Sequence, residues 1–242
     1  SDLEEYWPKS ELWISYMTHK LNGGIPNWGY THWWKMFNSR QLLAHTQLLK
    51  SITEAPEDLW TLDVKEQVLG AFQQHLRYCS MFSFYQQQYD KTIPHFSNNN
   101  YHPKSLISEI SPFATLGAGR FESCSSLILD GLKWVDNPWE VFINPNETNS
   151  LRLQTGDPII PGNEPYCGSS TDLSVLGGEQ FDLVITDPPF GNNLFYADLA
   201  DFFYVWLRIS LRKLYSGLPE SLYFEPERTP HSLEAIDNFE EH

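Results

Sequence analysis

The sequence predicts an α/β fold in which a largely helical N-terminal region precedes a strand, a tight loop and a helix. Apolar residues return at helical spacing over residues 40–54 and 64–84, which predicts two amphipathic helices. Residues 181–186 form an apolar-rich run typical of a strand that is buried on both faces. Residues 198–215 have a broad apolar face and end in basic residues, which predicts another helix. A strand followed by a helix is half of a βαβ unit, so we expect 181–186 in the interior of a mostly parallel sheet.

Glycine and proline set the boundaries of the N-terminal elements. Both residue types occur among the aromatics of the first thirty residues, which we interpret as an irregular arm laid over a surface. Ser39 opens the helix over 40–54, and Pro56 supplies its stop signal. A third helix is expected over 121–134, so the first 140 residues should be mainly helical.

Three stretches lack regular periodicity. Residues 89–112 contain an asparagine run and prolines, which predicts a long loop. Residues 113–119 end in a Gly-x-Gly sequence, but no buried strand precedes them, so we interpret them as a loop that does not bind a cofactor. Residues 151–180 are rich in Gly, Pro and Ser, with a short strand expected around 165–167. The composition therefore changes near residue 150, where we place a domain boundary.

Tryptophans are concentrated near the N-terminus. Trp28, Trp33 and Trp34 could stack on nucleic-acid bases or pack against the helix at 40–54. Packing is favoured, because aromatic clusters usually lie in a core.

The charge balance limits the classes of partner. The 242 residues carry a formal net charge of −15, whereas Lys and Arg usually supply most non-specific affinity for nucleic acid. The charge argues against a self-sufficient DNA-binding protein. It does not exclude a catalytic piece whose basic groove lies in another segment or a partner, because the local patch matters more than the sum.

Cysteine spacing, histidine spacing and hydropathy exclude other classes. Cys79, Cys124 and Cys167 form no C-x-x-C pair, so neither a disulfide framework nor a zinc ribbon is indicated, and a reducing, cytoplasmic setting is expected. No apolar stretch approaches the ~18 residues of a membrane span, so no membrane partner is expected. No metal is expected, because the following histidines lack ligand spacing: His32, His45, His75, His95 and His102.

The candidate catalytic residues are Asp187-Pro188-Pro189-Phe190, directly after the predicted strand. An exocyclic amine of a nucleobase is a poor nucleophile, because its lone pair is delocalised into the ring. Two acceptors on its hydrogens, the Asp187 carboxylate and the Pro188 carbonyl, would draw the nitrogen toward sp³ character. Consecutive prolines stiffen the loop, and Phe190 offers a face for stacking on a base that has left the duplex.

An ordinary surface turn is the competing interpretation of this tetrapeptide, since Asp and Pro are both common in turns. The strand predicted before it and the helix predicted after it favour a catalytic loop. Ligand sites in open α/β sheets lie just beyond the carboxyl ends of such strands.

Four segments carry a family resemblance. Residues 181–190 resemble motif IV of the amino methyltransferases, in which Asp or Asn is followed by two prolines and an aromatic residue. Residues 196–208, 32–43 and 97–105 resemble a narrower group, the adenine-specific DNA methylases that carry an N-terminal domain of unknown function. The likeness spans nearly the whole chain.

The resemblance implies a partial Rossmann-like class I methyltransferase fold. Residues 1–150 would be a helical and irregular region, a candidate target-recognition or insertion segment. Residues 151–242 would be the partial methyltransferase domain that carries motif IV. The implied activity is transfer of a methyl group from S-adenosyl-L-methionine to N6 of adenine in DNA, in restriction or defence.

The cofactor site departs from the family pattern. That family places a Gly-rich Asp-Pro-Phe-x-Gly-x-Gly loop near its N-terminus, and the chain begins after the place where it is expected. The loop would come from a partner subunit or a missing segment, and the isolated chain should bind S-adenosyl-L-methionine weakly or not at all. Ser169 and Ser170 occupy the place where this fold usually contacts the cofactor adenine, although a plain turn is equally consistent with them.

Two other functions remain open. The tetrapeptide also resembles that of the RNA guanine-N2 methyltransferases, which would make RNA the substrate. Alternatively, the chain is a non-catalytic scaffold that binds a partner subunit or nucleic acid, which the charge of −15 would suit.

Overall fold

The computed structural model describes most of the chain, with gaps between the described segments. The described residues are 2–15, 17–18, 24–104, 106–111, 113–143, 150–154, 166, 172–178, 180–187 and 194–234. They fall into two compact units, one formed by residues 1–125 with 188–242 and one formed by residues 126–187. The boundary predicted near residue 150 stays a prediction.

Helices and two short antiparallel hairpins make up the regular structure of the described segments. The α-helices are α1 (Ser39–Thr53), α2 (Leu62–Tyr78), α3 (Phe121–Asp136) and α4 (Tyr196–Leu214). The strands are β1 (Phe84–Gln86), β2 (Lys91–Ile93), β3 (Trp139–Ile143) and β4 (Ser150–Gln154). Short 3-10 helices lie at Glu4–Tyr6, Ile25–Trp28, Trp33–Met36, Gln87–Tyr89, Ser174–Leu176, Pro219–Phe224 and His231–Leu233.

The helices predicted from apolar periodicity are confirmed. Helix α1 begins one residue after its cap, Asn38, whose side chain accepts hydrogen bonds from the backbone N–H of Arg40 and Gln41. The Gln41 side chain accepts from the Asn38 N–H in return, which completes a capping box. The cap is therefore Asn38, one residue before the serine from which the helix was predicted to start.

Helix α2 ends earlier than predicted, at Tyr78 instead of near residue 84. Apolar spacing continues to Phe82, but serine side chains there bond to the local backbone. The Ser83 hydroxyl donates to the Arg77 carbonyl at 3.0 Å, and the Phe82 N–H donates to the Ser80 hydroxyl at 3.3 Å. Such bonds compete with helical ones, so the chain turns and enters β1.

The core of the first unit forms where α4 packs against α1 and α2. Trp206 is fully buried, with its ring centroid 5.1 Å from that of Phe37 and 6.0 Å from that of Phe72. A hydrogen bond of 2.7 Å between the Thr53 and Ser210 hydroxyls links α1 to α4. The three helices therefore bury one shared aromatic cluster.

The N-terminal arm and the residues that join it to α1, up to Phe37, are together called the arm from here on, and they are part of this core and not only a surface covering. Tyr6, Ile25 and Met36 are fully or almost fully buried. Trp33 is 2% exposed and lies against Trp13, with ring centroids 5.5 Å apart. Burial in the core is thus confirmed for Trp33, whereas Trp28 and Trp34 are exposed. Packing of these tryptophans against the helix at 40–54 stays a prediction.

The second unit contains a β-hairpin in which β3 pairs antiparallel with β4, Trp139 opposite Gln154. The Trp134 indole N–H donates to the Trp139 carbonyl at 2.9 Å, which ties the end of α3 to the start of the hairpin. Leucine and valine side chains on this part of α3 are exposed, namely Leu127, Leu129, Leu132 and Val135. The unit therefore presents apolar surface to solvent.

The prediction of a buried parallel strand at 181–186 is wrong. These residues form no strand, and the side chains of Phe181, Leu183, Val184 and Ile185 are 56–85% exposed. A buried strand needs a neighbour to pair its backbone and layers to cover both faces. Among the described segments the only sheets are two antiparallel hairpins, and neither includes this run. The fold is therefore mixed α and β, without a parallel sheet in its described part.

Two further expectations, the short strand around 165–167 and the absence of a membrane-spanning segment, can be compared with only part of the chain. The short strand expected around 165–167 lies outside the described residues except for Tyr166. None of the helices in the described portion is both long enough and apolar enough to cross a membrane.

Phe72→Ala should lower the free energy of unfolding by about 3–5 kcal/mol, because it removes a fully buried ring from the shared aromatic cluster. Phe113→Ala is the matched control, since its ring is 84% exposed, and it should cost under about 1 kcal/mol. Urea unfolding monitored by tryptophan fluorescence measures both. Equal costs would show that the cluster does not stabilise the fold.

Candidate functional site

Only one residue of the candidate catalytic tetrapeptide lies among the described residues. Asp187 is exposed and belongs to no helix or strand. Pro188, Pro189 and Phe190 lie outside the described residues, as do the candidate cofactor residues Ser169 and Ser170. The arrangement of these predicted site residues relative to one another therefore lies outside the described residues, and their roles stay predictions.

After the tetrapeptide the described chain resumes at Leu194, which is half-buried, and the next residue is buried. Phe195 is 4% exposed and directly precedes helix α4. Asp198 and Asp201 lie on the first turns of this helix, at a spacing of three residues that places both carboxylates on one face. They are 2% and 3% exposed, so that face is turned into the protein. Buried carboxylates need partners, because unpaired charges are costly inside a protein.

His231 is the partner of both carboxylates. Its Nε2 lies 2.7 Å from Asp201 Oδ2, and its Nδ1 lies 3.5 Å from Asp198 Oδ1. The three side chains are each less than 5% exposed. We call Asp198, Asp201 and His231 the His231 clasp, because it joins the start of α4 to a distant C-terminal segment.

Backbone and hydroxyl groups complete the clasp. Thr229 donates to Asp201 Oδ1 through its N–H at 2.8 Å and through its hydroxyl at 2.6 Å. The Met17 N–H donates to Asp198 Oδ2 at 2.9 Å, so the N-terminal arm also takes part. The Tyr101 hydroxyl donates to the Asp198 backbone carbonyl at 2.6 Å. Three separate stretches of chain therefore converge on the first turns of α4.

The protonation of the clasp follows from these contacts. The hydrogen bond to Asp201 raises the pKa of His231 above its usual value, although burial opposes this. Burial raises the pKa of Asp198, while the hydrogen bond from Met17 acts against it. The contact between His231 and Asp201 is the shorter of the two, so it is the stronger link within the clasp.

Other histidines form a neutral group inside the first unit. Burial lowers the pKa of His45 to about 3, and it also lowers the pKa of His75 and, strongly, of His95. His45 Nε2 lies 2.8 Å from the Cys79 carbonyl, which can only accept, so this nitrogen carries the proton of the neutral ring. Across the described residues, no group of three or more His, Cys, Asp and Glu side chains is arranged to hold a metal ion.

A cleft of about 580 Å³ lies in the first unit, between the end of α2, strand β2 and the Gly-rich segment at 114–119. A side chain at Gly119 would collide with Tyr78, whose Cβ lies 2.4 Å from the position of the added carbon. Gly117 has φ of +114°, a conformation that other residues rarely adopt. The segment was expected to be a loop that binds no cofactor. No described strand directly precedes it, as expected, but it lines a cavity large enough for a small molecule.

The clasp and the cleft are the features that sequence analysis missed. The clasp left one signal, because Asp198 and Asp201 interrupt the apolar face of the predicted helix. His231 gave no signal in the sequence, since the two aspartates that its side chain contacts lie 30 or more residues away. For the cleft, the signal was the Gly-x-Gly sequence just before helix α3.

Acidification should destabilise the chain because of the buried neutral histidines. A histidine whose folded pKa is lowered contributes stability above its unfolded pKa of about 6.5, and this is lost as the pH falls below that value. With a folded pKa of about 3, His45 should account for a loss of about 2 kcal/mol between pH 7 and pH 5.

Urea unfolding at a series of pH values measures this loss in the parent and in His45→Gln, which keeps a side-chain donor for the Cys79 carbonyl. The slope of stability against pH below pH 6.5 should be smaller in the variant by nearly one proton. Identical slopes would mean that His45 is not the titrating group.

No protein-family model matches this chain, and no curated protein or solved structure matches it either. A family is therefore not established by comparison.

Proposed function

We propose that the chain is part of an S-adenosyl-L-methionine-dependent methyltransferase that acts on N6 of adenine in DNA. The observation that carries the proposal is the tetrapeptide Asp187-Pro188-Pro189-Phe190 between an apolar run and an amphipathic helix. The resemblance to motif IV of the amino methyltransferases supports it. A role in restriction or defence is part of the proposal.

In this proposal the tetrapeptide prepares the acceptor nitrogen. The Asp187 carboxylate and the Pro188 carbonyl accept the two amino hydrogens and orient the nitrogen lone pair. Phe190 stacks on the base after it leaves the duplex. The exposure of Asp187 is consistent with this role, because a carboxylate that binds substrate must be reachable.

The described residues do not supply a cradle for the methionine part of the cofactor. Gly117 and Gly119 follow no strand, and Gly119 is packed against Tyr78. S-adenosyl-L-methionine would supply the electrophilic methyl group, and we assign its Gly-rich loop to another segment or a partner subunit. Ser169 and Ser170 remain the proposed contacts for its adenine.

The exposed apolar run supports a requirement for additional structure. Phe181, Leu183, Val184 and Ile185 present a contiguous apolar stretch beside Asp187, and such stretches usually mark interaction surfaces. A neighbouring strand from another segment or subunit would bury them and would give the tetrapeptide the strand-end position that the fold class requires.

A non-catalytic scaffold is the second candidate function, and the same exposed run favours it. A fragment that only binds a partner would also present apolar surface, and a net charge of −15 suits a protein partner better than nucleic acid. RNA guanine-N2 methylation remains the alternative chemistry, since it uses the same kind of tetrapeptide. Variants of Asp187 separate the catalytic functions from the scaffold.

Asp187→Ala should abolish methyl transfer in the complete enzyme without unfolding it, because it removes one acceptor for the amine. Asp187→Asn should keep measurable activity, since its amide oxygen can still accept a hydrogen bond. The assay follows a labelled methyl group from S-adenosyl-L-methionine into DNA and into RNA at one salt concentration. Asp182→Ala is the matched control, an exposed aspartate in the same stretch that should transfer methyl groups at the parent rate. Equal rates for Asp187→Ala and the parent would favour the scaffold.

Phe190→Ala should weaken capture of the flipped base by about 1–3 kcal/mol, the scale of one lost base–aromatic stack. Phe190→Trp should be tolerated. Competition binding with an oligonucleotide that contains an unpaired adenine measures both variants. A loss no greater than that of Asp182→Ala would remove Phe190 from the site.

The 242-residue chain alone should bind S-adenosyl-L-methionine weakly or not at all, because its described residues lack the methionine cradle. Isothermal titration calorimetry provides the test. Binding in the micromolar range would show that another loop of this chain holds the cofactor, and the cleft beside Gly117 would be the first place to examine.

A further inference from the structure

The His231 clasp lies at the point where the chain leaves the proposed catalytic loop. Seven residues lie between Phe190 and Asp198, and Phe195, the residue just before α4, is buried. The proposed chemistry uses none of the three clasp side chains. A buried cluster of ionisable side chains that takes no part in catalysis needs another explanation, because burying such groups costs free energy.

We propose that His231 is a positioning residue, which fastens residues 229–234 to the first turns of α4 and thereby fixes where the chain enters this helix after the proposed catalytic residues Pro188, Pro189 and Phe190. This inference rests on the proposed methyltransferase function for the role of that loop. The clasp itself rests only on the geometry of the first unit.

The start of α4 depends on residues from outside the helix. Phe195 occupies the cap position and provides no side-chain hydrogen bond to the first turn. Glu234 replaces the missing cap, since its carboxylate accepts the Ala197 N–H at 2.9 Å. A carboxylate at a helix N-terminus also interacts favourably with the helix dipole. Thr229 and His231 bind Asp201 one turn further along the helix, so residues 229–234 contact both the first and the second turn of α4.

The clasp should loosen as the pH rises. A histidine whose folded pKa is raised contributes stability below its unfolded pKa of about 6.5, and that contribution is lost as the pH rises through the folded value. The groups that act on His231 are Asp198 and Asp201 on α4 and Arg228 beside it in the chain. The same two carboxylates help to raise the pKa of the Tyr101 hydroxyl, and Asp201 contributes to the raised pKa of Tyr204, in both cases after burial as the main cause. The sign is opposite to that of the buried neutral histidines, so the two effects can be separated.

Hydrogen exchange at the start of α4 tests the positioning role directly. In His231→Gln, the backbone amides of residues 196–201 should exchange at least tenfold faster than in the parent at pH 7. The amides of α1 should be unaffected. His102→Gln is the matched control, because His102 is exposed and should leave both regions at parental rates. Parental protection of 196–201 in a folded His231→Gln would overturn the proposal.

A titration of the parent keeps the proposal testable if His231→Gln does not fold. The ring signals of His231, followed by NMR, should titrate with a pKa above 6.5. Protection factors at 196–201, corrected for the intrinsic effect of pH, should fall over the same range. A pKa at or below 6.5, or protection that does not change with pH, would contradict the clasp.

Methyl transfer separates failure of the clasp from failure of the proposed function. In the complete enzyme, His231→Gln should lower kcat at least fivefold with little change in the KM for S-adenosyl-L-methionine. The alkaline decline in parental kcat at the His231 pKa should be absent from the variant. If Asp187→Ala leaves transfer intact while the exchange results hold, the clasp stands and the methyltransferase proposal fails. An unchanged kcat and pH profile in His231→Gln, with Asp187→Ala inactive, would refute the positioning role alone.

Discussion

The burial of α4 is the constraint on which the rest of the first unit depends. Trp206 and Phe202 are almost completely enclosed, and covering them takes residues from α1, α2 and the N-terminal arm. Large aromatic rings bury more apolar surface than other side chains, so a helix that carries several of them on one face fixes the arrangement of its neighbours. The arm is drawn into the core for the same reason, since Phe37 stacks on Phe202 with ring centroids 5.8 Å apart.

A second consequence follows for the polar residues on the same helix face. Ser210 is paired with Thr53, and the two aspartates near the start of α4 are paired with His231, Thr229 and the Met17 N–H. These bonds satisfy groups that burial would otherwise leave uncompensated. They also connect both ends of the described chain to the residues that follow the proposed catalytic loop. Packing and polar pairing therefore act together to fix where that loop ends.

The sequence predicts best what depends on local periodicity. The four α-helices within the described residues were all expected, because amphipathic spacing and proline stops are readable within a few turns. The apolar run at 181–186 was misjudged, because burial of a strand depends on neighbours that its own residues do not encode. The aspartates of α4 were visible as interruptions of an apolar face, but their partner is remote in sequence. For the candidate site, the type and order of the residues at 187–190 could be read, whereas their spatial arrangement lies outside the described residues.

Under the proposed function, the tetrapeptide directs methyl transfer to the exocyclic amine of adenine in DNA. Nucleoside analysis by mass spectrometry tests this after the complete enzyme has acted on DNA, and separately on RNA, with S-adenosyl-L-methionine that carries a deuterated methyl group. Labelled N6-methyladenine is expected from DNA, and none when Asp187 is replaced by alanine. Labelled N2-methylguanine from RNA would show that the chain is instead the RNA guanine-N2 methyltransferase, and the absence of any labelled nucleoside from DNA or RNA would show that the tetrapeptide directs no methyl transfer.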